Sequence, residues 1–101
     1  MKPNIVKTYS DLMDHPAKFV DILDRFDEVL SRQPKDFPIV EVGTKLGGSA
    51  LCFMKLLNVR GRTPTIYTVD PYGSVPTYSD GGEYVESPYN DEMYEQAMQN
   101  F

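Results

Sequence analysis

Through the first third of the chain, apolar residues recur at three- and four-residue steps. Phe19, Ile22, Leu23, Phe26, Val29 and Leu30 take one side, and Lys18, Asp21, Asp24, Arg25 and Glu28 take the other. That spacing predicts an amphipathic helix from Ala17, with one face for a core and one for water. Asp14 or His15 is placed to cap it, Pro16 falls in the first turn where a missing N–H costs nothing, and Pro34 stops it. The pattern then changes to short β-branched runs. Residues 37–42 (FPIVEV) end at a glycine, residues 65–69 (TIYTV) end at Asp70-Pro71, and both read as buried strands. Between them Ala50, Phe53, Met54 and Leu57 return to helical spacing over residues 48–59, with Asn58, Gly61 and Pro64 marking the end. Strand, helix, strand over residues 37–70 predicts a βαβ unit with two parallel strands.

Residues 71–90, PYGSVPTYSDGGEYVESPYN, hold no sustained period and read as a long loop, a length that is more often functional or disordered than a plain connector. Residues 91–101 return to helix, with Asn90 as cap, Asp91 and Glu92 in the first turn, and Met93 or Tyr94, Ala97, Met98 and Phe101 sharing a face. The chain is thus expected to be α/β. Its single domain, residues 1–101, would comprise a leading helical segment (1–36), the βαβ unit (37–70) and an acidic loop with a last helix (71–101). Two parallel strands leave two unpaired edges, and all-parallel sheets are usually larger, with helices over both faces. The expectation is therefore an incomplete domain, or strand edges covered by a second copy or another protein.

Composition narrows the function classes. With 101 residues, 41% of them hydrophobic, one domain is the ceiling. The longest mostly apolar stretch, residues 50–57, is broken by Lys55 and falls far short of the roughly 18 residues of a membrane span. The N-terminus has no apolar core of a secretory signal, so no membrane partner and a cytoplasmic location are expected. One Cys (Cys52) and one His (His15) exclude an internal disulfide and a four-ligand Cys/His zinc site; a metal ion as a further cofactor is left open, with no ligands identifiable. All 10 basic residues lie in residues 1–62 beside 8 acidic ones, whereas residues 63–101 hold 7 acidic residues and no basic one. The basic residues are scattered singly, so nucleic-acid binding has little to act through.

The informative segment is Glu41-Val42-Gly43-Thr44-Lys45-Leu46-Gly47-Gly48-Ser49, a glycine-rich turn from a strand end into a helix start. Gly43 permits a sharp turn and a close ligand, Gly47 and Gly48 clear side chains from the helix start, and the free N–H groups there attract an anion. Ser49 adds a hydroxyl donor. Asp70 ends the next strand, where a carboxylate can accept hydrogen bonds from ribose hydroxyls. The pair points to a nucleoside ligand. Plainer roles stand beside these: glycines for close packing, Asp70 as a turn residue, Glu41 bonded to nearby N–H groups. The spacing is neither G-x-G-x-x-G nor G-x-x-x-x-G-K-[ST], which removes the main signature of nicotinamide and flavin dinucleotides and excludes a P-loop.

Residues 40–50 (VEVGTKLGGSA), followed by Tyr67-Thr68-Val69-Asp70, resemble motif I and the second-strand acidic residue of class I S-adenosylmethionine-dependent methyltransferases. The nearest variant is the E-x-G-x-x-x-G-x-S form of small-molecule O-methyltransferases and of the macrocin O-methyltransferase and cephalosporin hydroxylase group. The resemblance covers residues 15–72 and departs from the commoner E/D-x-G-x-G-x-G form at Lys45, where a glycine would stand. It implies the N-terminal part of a Rossmann-like methyltransferase fold, with S-adenosylmethionine as cofactor and a small molecule as substrate. It also implies a cofactor site drawn from Glu41, Gly43, Thr44, Lys45, Gly47, Gly48, Ser49 and Asp70. Gly43 and its neighbours would lie against the methionine part, Ser49 and local N–H groups would hold the carboxylate, and Asp70 would hold the ribose. No catalytic base is identified. The alternatives are a non-catalytic nucleoside-binding or assembly module and another nucleotide-using transferase. Tyr72, Tyr78, Tyr84 and Tyr89 line a pocket or pack in a lid; the acidic run 79–83 lacks calcium-loop spacing; Cys52 reads as a small core residue.

Overall fold

The computed structural model describes residues 2–34, 36–72, 77–78, 81–82, 84–85 and 91–101. The chain opens with helix α1 (Lys2–Tyr9), runs through a 3-10 turn (Ser10–Leu12) into α2 (Pro16–Leu30), and then enters strand β1 (Ile39–Val42). Helix α3 (Gly48–Val59) leads to β2 (Ile66–Val69), a short pair β3 (Thr77–Tyr78) and β4 (Tyr84–Val85), and α4 (Asp91–Asn100). β1 and β2 pair in parallel with Ile39 opposite Ile66 and Val42 opposite Val69, so the expected βαβ unit is present in a mixed α/β domain with an open sheet. No described helix is long and apolar enough to cross a membrane.

Helix α2 begins at Pro16 as its sequence directs, but neither expected cap is used. His15 occupies the cap position with no side-chain hydrogen bond, and Asp14 is turned toward Lys45 in an ion pair instead. Helix α1 lies outside the elements the spacing announced. Its Ile5 and Val6 join Phe19 and Leu23 of α2 and Cys52 and Leu56 of α3 in one buried cluster. Phe53 sits beside that cluster with its ring 5.3 Å from Phe19 and 4.4 Å from Phe26. The core is therefore made by three helices, and of the expected α3 face Ala50 and Leu57 are buried, Phe53 packs against the core, and Met54 is exposed. Cys52 and Leu56, outside that face, are fully buried where α3 meets α1 and α2. Arg60 joins α3 to α2 by a forked pair of hydrogen bonds to Asp27, at 3.0 and 2.7 Å.

The strands are half-covered rather than buried. Ile39, Glu41, Ile66 and Thr68 turn toward the helices, while Val40, Val42, Tyr67 and Val69 are exposed on the other face, Val42 to 83%. Ile39 and Gly43 donate their N–H groups to Thr65 and Val69. The period of two then sends the backbone groups of Val40 and Val42 to the outer edge of β1, where no described strand meets them. Beside that edge runs an open apolar cleft of about 500 Å³ between β1 and α2.

In place of an unstructured stretch, residues 71–90 carry the antiparallel β3–β4 pair, with Tyr78 opposite Tyr84. Two-residue strands are too short to show a period. Gly82, at φ +80°, lies between them in the left-handed region that glycine tolerates. Tyr89, the Asn90 cap and the acidic residues Asp80 and Glu83 lie outside the described residues. α4 forms as expected, with Ala97 buried and Tyr94, Met98 and Phe101 half exposed.

Candidate cofactor-binding site

The parallel pairing brings the ends of β1 and β2 side by side, so the glycine-rich turn and Asp70 meet. Gly43, at φ +92°, breaks away from β1 while its N–H still bonds Val69 at 2.7 Å. Among the described residues nothing lies within 4 Å of where a side chain would start on Gly43, which leaves space there for a ligand. Thr44 is buried, and its carbonyl accepts the Gly47 N–H at 2.8 Å. Gly48 opens α3 with Leu12 and Met13 directly against it; a Cβ there would come within 2.8 Å of the Leu12 carbonyl oxygen. Gly47 is closed by the Phe101 ring in the same way. Lys45 adopts φ +50°, so the left-handed position that suits glycine is held here by a lysine.

Asp70 does bond the turn, but to its backbone. One carboxylate oxygen accepts the Lys45 N–H at 3.0 Å and the other accepts the Tyr72 N–H at 2.8 Å. Ser49 donates its hydroxyl to Glu41 at 2.6 Å, so its proton is directed at the strand and away from the open turn. The other Glu41 oxygen is buried with no hydrogen-bond partner among the described residues. Burial pushes the Glu41 carboxyl above its ordinary pKa, and the Ser49 hydrogen bond pulls part of the way back. Cys52 lies nearby with its thiol pushed up to about 12, first by burial and then by the Glu41 charge, and so is not a nucleophile at neutral pH.

An open cleft of about 310 Å³ lies between this turn and the segment that precedes α2. Met13, His15 and Lys18 line one side, and Gly43, Thr44 and Ser49 line the other. Its volume is at the lower end of the small-ligand range. The Lys45 ammonium bonds Asp14 across it and, with its charge, holds that carboxyl below its ordinary pKa. Of the eight residues expected from the sequence, Gly43, Thr44, Lys45, Gly48 and Ser49 line this cleft, Glu41 lines the neighbouring cleft beside β1, and Gly47 and Asp70 line neither.

Compared with known protein families, characterised proteins and solved structures, the chain matches none.

Three residues at the turn went unremarked in the periodic pattern or were given other roles. Tyr72, buried and at φ +50°, donates its hydroxyl to the Lys45 carbonyl at 2.7 Å. Burial, then the Asp70 charge, raises the pKa of that phenol, against a hydrogen bond with Thr44 that lowers it. Asn100 donates to the Leu46 carbonyl at 2.8 Å, and Phe101 covers Gly47. Nothing in the spacing of the sequence marks Asn100, because its partner is a backbone atom in a distant element. Among the described residues no three His, Cys, Asp or Glu side chains converge.

Proposed function

We propose that the chain forms the cofactor-binding part of an S-adenosylmethionine-dependent methyltransferase of the cytoplasm, built as the N-terminal part of a Rossmann-like methyltransferase fold. The observation that carries this reading is the junction of the Gly43 turn with Asp70 at the C-terminal ends of two parallel strands. Open α/β sheets take nucleosides at such ends. The residues also suit the two charged ends of an amino acid. The N–H groups that open α3 favour a carboxylate, and the buried Glu41 oxygen, which has no partner among the described residues, would accept from an ammonium only once a ligand had uncovered it. The bare space over Gly43 leaves room for the chain between them. The form of the turn, through its resemblance to small-molecule O-methyltransferases, points to an oxygen of a small molecule as acceptor.

When bound, S-adenosylmethionine supplies a methyl group on a positively charged sulfur. The work of this chain is to bind and orient that donor, the main contribution a protein makes to an in-line transfer. None of its residues is assigned as a base, and the anionic last third gives no reason to expect a nucleic-acid acceptor. Calorimetric titration with S-adenosylhomocysteine tests the reading. Binding that ATP, NAD and a nucleotide sugar do not displace is expected, and displacement by any of them transfers the site to that ligand. No binding at millimolar ligand ends the proposal.

A second reading draws on the exposed Val40, Val42, Tyr67 and Val69 and on the edge of β1 that no described strand pairs. In it the chain is a non-catalytic module whose sheet is completed by a partner or a second copy. Sedimentation velocity separates the two: a single monomeric boundary at high concentration contradicts self-assembly, and a concentration-dependent shift supports it.

A further inference from the structure

The glycine-rich turn is held from outside by a closed ring of contacts. Lys45 has both of its backbone groups engaged, the N–H by Asp70 and the carbonyl by the Tyr72 hydroxyl. Asp70 and Tyr72 are themselves joined through the Tyr72 N–H. Lys45 and Tyr72 are the two described non-glycine residues in the left-handed region, both at φ +50°, and they face each other across the same carboxylate. Such conformations persist where surrounding contacts over-determine them. The Tyr72 ring then meets the Tyr94 ring of α4 edge-on at 5.4 Å. At its far end α4 reaches the next two residues of the turn, through Asn100 on the Leu46 carbonyl and Phe101 on Gly47. Three consecutive turn residues are thus held by Asp70, Tyr72 and α4 as well as by the Gly47 bonds to Thr44 and to Leu51 of α3.

We propose that Tyr72 is a positioning residue that fixes the Lys45 peptide and links the docking of α4 to ligand binding at the turn. Its hydroxyl sets where the Lys45 carbonyl points, and its ring transmits the seating of α4. A ligand that needs the turn in this shape therefore favours the docked α4, and a docked α4 favours the ligand by the same factor.

Tyr72→Phe keeps the ring against Tyr94 and removes the hydroxyl. Amide hydrogen exchange at Lys45 and Gly47 is expected to quicken by about threefold or more, since the hydroxyl's bonds to the Lys45 carbonyl and to Thr44 are both lost, with Leu56 in the core unchanged. Tyr94→Leu, which touches no atom of the turn, is expected to quicken the same amides and serves as the second variant. The affinity arm rests on the cofactor reading: S-adenosylhomocysteine should bind Tyr72→Phe about threefold to tenfold more weakly than the native chain. Equal affinity overturns the proposal, and so does exchange that quickens at Leu56 in parallel with the turn or at neither place. If the native chain does not bind S-adenosylhomocysteine, the cofactor reading falls and exchange alone decides the role of Tyr72.

Discussion

Leu23→Ala should lower the unfolding free energy by about 2–5 kcal/mol in urea titration, the range for removing a buried leucine from a packed core. Leu23 is fully buried where α1, α2 and α3 meet, with Phe19, Leu56 and Cys52 in the same cluster. Three helices fixed at that point have little freedom to close over the lost volume, which favours the upper part of the range. The effect should extend to the candidate site, because the core holds the Leu12 backbone and the Met13 side chain against Gly48 and the Met13–Lys18 side of the cleft against the turn. The control is Val42→Thr, on the open face of the sheet, expected to stay within about 0.5 kcal/mol of the native chain. Val42 is apolar and in a strand, yet it is 83% exposed. A large loss at Val42 would mean that something covers this face in solution, and a small loss at Leu23 would mean that the helical core is not what holds the chain together.

That contrast shows which parts of the fold were legible. The long stripes of α2 and α4 and the β-branched runs specify their elements locally, since each residue's side of a helix or strand follows from its own spacing. Which side is covered does not follow, because cover comes from other elements. Val40, Val42, Tyr67 and Val69 look as buried in sequence as Ile39 and Ile66, and only the placement of the helices on one face separates them. Helix α1 has 8 residues, so the spacing of Ile5, Val6 and Tyr9 that packs on the core gives only one repeat, too short to announce a helix. Within the site, the glycine-rich turn was legible because a strand end, glycines and a helix start leave the chain few other shapes. The partners of Asp70 were not, because they depend on left-handed backbone at Lys45 and Tyr72, which non-glycine residues seldom adopt. Asp14 was misjudged for a similar reason: the nearer helix end competed with a lysine from a distant turn, and the lysine won.

Asp70→Ala is expected to cost about 2–4 kcal/mol, since it removes a charged acceptor from two part-buried N–H groups at once. Asp70→Asn should recover only part of this, because its amide presents a donor to one of those N–H groups. Loss of ligand binding in either variant would not by itself place Asp70 on the ribose, as the turn would loosen in both. A cycle with two ligands resolves this: S-adenosylhomocysteine and its analogue lacking both ribose hydroxyls, each titrated into the native chain and into Asp70→Ala. If Asp70 accepts from the ribose as well as from the turn, the native chain should prefer the hydroxylated ligand by about tenfold or more, and the variant should lose most of that preference. Among the described residues each carboxylate oxygen accepts a single N–H, and each has a second lone pair, so both roles can coexist. If the variant weakens both ligands by one common factor, Asp70 acts on binding only through the shape of the turn. The ribose contact is then removed from the site, leaving Glu41, Gly43 and the N–H groups that open α3.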